Sequence, residues 1–145
     1  MRRIIAYAMA TCTLIGCASA QSRSTGSDTR VTGSIAQIFY WRAKPGKFDE
    51  YTRYVRDVAE PIDEEAHRRG AFISVTTYMT QDTASTWTHM RVFILRDSAQ
   101  WSGLSGALDS AGRRLEPDSV KRSQRAQYSA TLRDRVGAAT VAILR

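Results

Sequence analysis

Cysteine and histidine are scarce in this chain of 145 residues. It has two cysteines, Cys12 and Cys17, and two histidines, His67 and His89. Both cysteines lie within the first 20 residues, so the remainder has no thiol pair, which excludes a small disulfide-stabilised scaffold. No spacing of histidines and cysteines resembles a metal site, so we expect no bound metal. A packed apolar core must therefore hold the domain together.

Motifs for cofactors and nucleophilic catalysis are also missing. No glycine-rich loop that could hold a phosphate is present. The segment from Gly103 to Ala107 lacks the last glycine of a hydrolase nucleophile elbow and lies in a predicted helix. Nothing in the sequence requires NAD, flavin or haem, and we expect no cofactor.

The chain has no apolar run long enough to cross a bilayer. Arg2 and Arg3 precede a short apolar segment from Ile4 to Gly16, which is followed by small residues. This pattern predicts a cleavable secretory signal over residues 1–20. We therefore expect an exported protein of the periplasm or cell envelope.

Two cleavage sites fit this signal. Cleavage after Ala20 fits the small side chains of Ala18 and Ala20, whereas the order from Leu14 to Cys17 resembles the lipobox of bacterial lipoproteins. In the second case cleavage falls before Cys17, which becomes lipidated. We favour this interpretation, with a lipid anchor on Cys17 holding the protein at a membrane. Residues 18–34 are polar and predict a flexible linker to a domain over residues 35–145.

Positive charge is concentrated near the C-terminus. Removal of Arg2 and Arg3 with the signal lowers the formal net charge from +7 to +5, and residues 113–145 carry eight basic and three acidic side chains. A basic helix can bind anionic lipid or nucleic acid, or simply form a solvated face. Because an exported protein rarely meets nucleic acid, we expect no nucleic-acid partner.

The spacing of apolar residues predicts the order of helices and strands. Residues 35–43 favour a strand, and apolar positions three and four apart from Phe48 to Ala66 favour a helix, interrupted at Pro61 and ending at Gly70. Residues 71–80 and 86–95 predict a hairpin. Helices then follow Asp97 and Pro117, and a last strand covers residues 138–144 after Gly137. The order β-α-β-β-α(α)-β predicts an α+β, ferredoxin-like fold, an antiparallel sheet with helices on one face.

This order, together with the segment from Lys44 to Tyr51 that joins the first strand to the first helix, resembles the dimeric α/β-barrel superfamily. That superfamily includes the antibiotic-biosynthesis monooxygenases and the NIPSNAP and EthD-like proteins. The resemblance implies a homodimer in which two sheets pack face to face and enclose a ligand between them. The chain contains no asparagine, so the asparagine that the haem-degrading branch places beside haem has no counterpart. This absence argues against haem degradation.

The strand over residues 86–95 separates into two faces. Thr88, Met90, Val92 and Ile94 are the more uniformly apolar set, so we expect them to face the helices. The other set would then line the open face of the sheet beside aromatic residues of the neighbouring strands. The predicted ligand-binding residues are Phe39, Trp41, Phe72, Tyr78, Trp87 and Phe93. Aromatic residues with a few polar groups are typical of small-molecule pockets, although dimer packing uses the same residues.

His89 and Arg91 are the candidate catalytic residues on that face. A neutral imidazole can transfer protons near neutral pH, and a guanidinium can hold an anionic group. The alternative is that both are structural groups at an interface.

Three functions follow as hypotheses, with binding of a small apolar or aromatic molecule as the first. The others are a cofactor-independent oxygenase and an envelope interaction protein that uses its basic C-terminal helix.

Overall fold

The computed structural model describes residues 34–143. The predicted signal, the lipidation site at Cys17 and the linker up to residue 33 lie outside the described residues, so these stay predictions. Among the described helices, none combines the length and the apolar character that crossing a membrane requires.

The described chain folds as one antiparallel sheet with helices packed on one of its faces. In chain order, the elements are β1 (Ile35–Ala43), α1 (Phe48–Tyr54), α2 (Glu60–Arg68), β2 (Ser74–Met79), β3 (His89–Leu95), α3 (Ser98–Leu115), α4 (Ser119–Leu132) and β4 (Arg133–Ala142). The strands lie in the order β2-β3-β1-β4, and each neighbouring pair is antiparallel. This topology confirms the predicted ferredoxin-like α+β fold.

The ends of the helices follow the predicted signals. Gly46 (φ 72°) forms the turn before α1, and Gly70 (φ 78°) follows α2, both in the left-handed region that favours glycine. The Asp97 carboxylate accepts a hydrogen bond from the Gln100 amide at 2.9 Å and caps α3. The Asp118 carboxylate accepts a hydrogen bond from the Val120 amide at 2.8 Å and caps α4. These caps satisfy backbone N–H groups that would otherwise lack partners.

The predicted interruption at Pro61 is a change of helix type and not a break, because Glu60 keeps helical backbone angles (φ −60°, ψ −43°). A π-helical segment, Val55–Ala59, joins α1 to α2, and Pro61 lies in the first turn of α2. Proline lacks the N–H of a helical hydrogen bond, and its ring would collide with the carbonyl four residues earlier, at Asp57. The wider π-helical segment, after which the Glu60 N–H donates to the Val55 carbonyl, lies where this collision would otherwise occur. The chain therefore continues as a helix through this point.

The start of β4 differs from the prediction. The strand begins at Arg133 instead of residue 138, so Gly137 lies inside the strand and does not separate it from the helix. Leu132 is fully buried at the end of α4, and the next residues pair directly with β1. A register shift between Tyr40 and Trp41 accommodates one extra residue of β4. Strand pairing has overridden the helical spacing that the sequence shows here.

The predicted assignment of the two sheet faces is wrong. In β3 the buried side chains are His89, Arg91, Phe93 and Leu95, whereas Met90, Val92 and Ile94 are only half-buried. The helices therefore cover the set expected to be open. Phe39 and Trp41 pair in register with Arg91 and His89, so they also lie on the helix-covered side. The physical reason is that the polar members of this set find partners in the helices, which hydrophobicity along a single strand does not reveal.

The other side of the sheet has no helix over it within the described part of the chain. We call this surface the open face. It consists mainly of apolar side chains, with Arg42 and Asp134 paired in register at one end. Its central residues are Ile38, Tyr40, Met90, Val92, Ile94, Ala139 and Val141.

Candidate functional site

A cavity of about 460 Å³ lies between the sheet and helices α3 and α4. We call it the sheet cavity. Helix α4 presents small side chains here, so it leaves unfilled space above the large rings of β1. The lining residues are Phe39, Trp41, Arg91, Phe93, Leu108, Ala126, Ser129, Ala130, Arg133 and Arg135.

Three arginines lie against the aromatic rings of the sheet cavity. The guanidinium of Arg133 is 4.8 Å from the ring centre of Trp41, and that of Arg135 is 5.0 Å from that of Phe39. Each distance suits a cation–π contact. Arg133 also donates from Nε to the Ser129 hydroxyl at 3.0 Å. Within the described residues neither Arg133 nor Arg135 forms an ion pair with a carboxylate, so the cavity wall carries excess positive charge.

Arg91 supplies the third guanidinium, and it is buried. It is 8% exposed and forms an ion pair through Nη2 with Oδ2 of Asp63 in α2, which is 3% exposed. Its Nε has no hydrogen-bond partner among the described residues. Burial lowers the pKa of Arg91 to about 10, which leaves the guanidinium charged at neutral pH. A buried charged donor without an acceptor is energetically costly.

His89 lies in the core beneath α1 and does not line the sheet cavity. It is 0% exposed, and the rings of Tyr51 and Phe48 lie 4.4 Å and 5.0 Å from it. Its Nε2 is 3.0 Å from the Thr52 hydroxyl. Because this hydroxyl donates its proton to a backbone carbonyl, it accepts a hydrogen bond from the Nε2–H of the imidazole. Its Nδ1 then accepts from the Thr88 hydroxyl at 2.9 Å. Both nitrogens are thus occupied in the neutral form.

Burial lowers the pKa of His89 to about 4, with the charge of Arg133 as a lesser cause. The imidazole is therefore neutral at physiological pH. This environment gives His89 a structural role that ties α1 to β3, while the catalytic role predicted from the sequence stays a prediction.

The structure places the predicted ligand-binding residues in three locations. Phe39, Trp41 and Phe93 meet at the sheet cavity together with Arg91. Phe72 is buried beside Phe93, with ring centres 5.1 Å apart, and lines a different cavity between α2 and β2.

The other two predicted residues, Tyr78 and Trp87, lie away from the sheet cavity. Tyr78 pairs in register with Met90 on the open face and is 49% exposed. Trp87 precedes β3, and its ring lies 6.3 Å from that of Tyr40, an open-face residue. The six residues therefore do not line one common cavity within the described structure, and their role in ligand binding stays a prediction.

Arg133 and Arg135 were not predicted as site residues, because the sequence pattern assigned both to a helix. The sequence does contain one indication of their position. Basic residues two apart, at positions 133 and 135, lie on one face of a strand. Once these residues belong to β4, both point towards the helix-covered side, where their guanidiniums contact Phe39 and Trp41.

Much of the basic stretch after residue 113 is paired within the protein. Arg113 pairs with Asp109, Arg114 with Glu65, and Arg125 with Glu116. Glu65 also receives Arg68 and Arg69, and these hydrogen-bonded guanidiniums lower its pKa to about 2. These contacts reduce the charge available for an external anionic partner. Among the described residues, no group of histidine, cysteine, aspartate or glutamate side chains is arranged to hold a metal ion.

The buried His89 makes folding stability depend on pH. Its folded pKa of about 4 lies below the ordinary value of 6.5, so the unfolded chain takes up a proton first as the pH falls. Between pH 7 and pH 5 we expect the free energy of unfolding to drop by about 2 kcal/mol. Urea unfolding at several pH values measures this drop.

A pair of variants isolates the contribution of His89. His89→Gln should lower stability at pH 7 but remove the drop, whereas His67→Gln at the other histidine should retain it. A drop of the same size in His89→Gln would contradict the assignment. The stability measurements stop at pH 5, because at lower pH the protonation of Glu65, whose ordinary pKa is 4.5, also reduces the free energy of unfolding.

Comparison with known proteins gives a structural likeness and no sequence match. No protein-family model matches the chain, and no curated protein matches it at a significant level. HapK from Hahella chejuensis has a similar structure, with a TM-score of 0.53 at 12% identity over 76% of this chain and 92% of that chain.

Two further solved structures match at lower TM-scores. SnoaB, a cofactor-independent oxygenase from Streptomyces nogalater, has a TM-score of 0.47 at 10% identity over 78% of this chain and 95% of that chain. A dimeric ferredoxin-like protein of unknown function from Jannaschia sp. CCS1 has a TM-score of 0.47 at 12% identity over 78% of this chain and 100% of that chain. At these identities a likeness shows the fold alone. The chain therefore shares its fold with HapK.

Proposed function

We propose that this protein binds a small aromatic anion in the sheet cavity. The observation that carries the proposal is the buried guanidinium of Arg91, which lines an aromatic cavity while its Nε has no hydrogen-bond partner among the described residues. A carboxylate or phenolate oxygen is the acceptor that such a donor favours.

The shape and walls of the cavity favour an aromatic ligand. Its volume of about 460 Å³ lies within the usual range for small-molecule sites. Phe39, Trp41 and Phe93 provide ring faces and edges against which another ring can pack. This composition agrees with the small apolar or aromatic ligand expected from the sequence.

The charges of the cavity favour a negative ligand. Arg133 and Arg135 add two guanidiniums to that of Arg91, and among the described residues only Arg91 of these three has a carboxylate partner. A single anionic group placed among them would gain charge-assisted hydrogen bonds in a partly desolvated site. The chemical class is therefore narrower than the sequence alone suggested.

The lining also favours binding over catalysis. It contains no histidine, cysteine, tyrosine or carboxylate side chain that could serve as a general base. The oxygenase hypothesis has the fold likeness in its favour, but fold alone does not assign an activity. His89, its predicted proton carrier, lies outside the cavity, and so we place binding first.

We propose further that two copies of the chain associate through the open face. Apart from Arg42 and Asp134 at one end, the face carries no charged side chain within the described strands. A second copy can therefore cover this face without burying an unpaired charge. A two-fold interface requires a surface that is complementary to itself, and an uncharged, mainly apolar face meets this requirement. The homodimer expected from the sequence thus uses Val92 and Ile94 instead of Phe93.

Export and lipid anchoring remain part of the proposal on the strength of the N-terminal sequence. Cys17 follows a lipobox-like segment, and residues 18–34 would then link the anchor to the ligand-binding domain. A protein held at the cell envelope in this way would meet ligands that enter from outside. The role of the basic C-terminal helix in binding anionic lipid stays a separate prediction.

Aromatic anions should bind and stabilise the folded protein. Benzoate and its methyl ester form a matched pair, and we expect only the acid to raise the thermal midpoint, because bound ligand stabilises the native state. Arg133→Gln should weaken benzoate binding by about tenfold or more in calorimetry, since a hydrogen bond to a charged group contributes about 1.5–3 kcal/mol. Arg56→Gln, an exposed arginine outside the cavity, should bind like the wild type. Equal binding of acid and ester would contradict anion recognition.

The open face should hold a dimer. The protein without residues 1–20 should sediment at twice its chain mass, and Val92→Glu should yield monomer because it places a charge at the centre of the interface. Ser105→Glu, on the exposed side of α3, serves as the control and should remain dimeric. A wild-type protein that stays monomeric at high concentration would overturn this proposal.

Lipidation should decide how the protein fractionates in cells. Cys17→Ser should move the protein from the membrane to the soluble fraction, because the acyl chains hold it at the bilayer. Cys12→Ser should leave it in the membrane fraction. Detection of Gln21 as the mature N-terminus would show ordinary signal cleavage and refute the anchor.

A further inference from the structure

A second, smaller cavity lies beside the sheet cavity. It has a volume of about 220 Å³ and is bounded by all four helices. We call it the helix cavity. Leu108 and Ala126 line both cavities and therefore form the boundary that they share. The remaining lining residues are Tyr54, Val58, Ile62, Asp109, Gly112, Arg122 and Arg125.

The helix cavity differs from the sheet cavity in chemistry. Its arginines are already engaged, since Arg122 donates to two backbone carbonyls and Arg125 pairs with Glu116. Its one carboxylate, Asp109, pairs with Arg113. The inner wall is formed by the aromatic and aliphatic side chains of α1, the π-helical segment and α2. This cavity therefore suits an uncharged apolar group.

The boundary between the cavities is thin. Ala126 contributes one methyl group, and Leu108 is a half-buried side chain of α3. Packed helices lie about 10 Å apart, so a chain of a few methylenes is long enough to pass between α3 and α4. The two cavities thus place a charged aromatic compartment next to an apolar one, with Leu108 and Ala126 as their common wall.

We propose that the ligand is an elongated aromatic acid. Its carboxylate and ring occupy the sheet cavity, and an unbranched apolar tail passes between Leu108 and Ala126 into the helix cavity. This inference rests on the proposed function and names the class of ligand more narrowly. Each buried methylene should raise affinity up to about fourfold.

Alkylbenzoates of increasing tail length test the inference by calorimetry. Benzoate, para-butylbenzoate and para-hexylbenzoate share a head group, and the butyl tail should raise affinity for the wild type by at least about tenfold. Gly112→Leu should fill the helix cavity, because a Cβ at Gly112 would lie 3.8 Å from Cδ1 of Ile62 in ordinary contact. This variant should bind benzoate like the wild type and lose most of the gain from the tail.

Gly106→Leu is the matched control. Gly106 lies in the same helix and lines neither cavity, and a Cβ at this position would meet no other atom within 4 Å. The variant should therefore keep the full gain from the tail. Should Gly112→Leu not fold, Val58→Phe narrows the same cavity from the opposite wall. The circular dichroism spectrum of each variant establishes that it is folded.

The outcomes separate the two proposals. If benzoate binds but the tails add nothing, or if both leucine variants lose the gain equally, the elongated ligand is wrong while the proposed function stands. If none of the three acids binds to the wild type, the proposed function fails and the inference fails with it. Loss of the gain in Gly112→Leu alone supports the two-compartment ligand.

Discussion

The buried ion pair between Arg91 in β3 and Asp63 in α2 is the contact on which the arrangement of this domain depends. Asp63 lies on the buried side of the helix layer, where an unpaired carboxylate would be strongly unfavourable. Arg91 meets this requirement only if its face of β3 turns towards the helices. Strand alternation then carries His89 and Phe93 to the same side. Removal of one partner from such a pair costs about 3–5 kcal/mol.

The same constraint creates the candidate site. The pair holds one guanidinium beneath the helices, and the cation–π contacts of Arg133 and Arg135 bring two more towards the rings of β1. Helix α4 would fill this space if it carried large apolar residues. It presents Ala126, Ser129 and Ala130 instead, so aromatic walls and positive charge surround open volume. A structural ion pair and the candidate binding cavity thus share one side chain.

The two faces of the sheet differ in composition. The helix-covered face combines the aromatic rings of the cavity with polar groups, of which His89 and Arg91 contact Thr52 and Asp63 in the helices. The open face is mainly apolar in its central strands, with Ser74 and Thr76 at the β2 edge and Arg42 and Asp134 at one end, and this composition suits contact with an identical surface. The likeness to HapK at 12% identity shows that a largely different sequence can form a similar fold.

The sequence by itself determined the order of the elements and the helix boundaries near Gly70, Asp97 and Pro117, because these depend on neighbouring residues. It also placed Phe39, Trp41 and Arg91 on one face, since alternation along paired strands requires this. Only the tertiary structure decided which face the helices cover. Hydrophobicity predicts that the helices cover the face of Val92, but the partner of Arg91 lies 28 positions away in α2 and brings the opposite face under the helices. Pairing with β1 places Arg133 in a strand, although the sequence pattern predicts a helix there. Contacts between distant parts of the chain produce no pattern in the local sequence, so the candidate site could be identified only from the packing of the helices on the sheet.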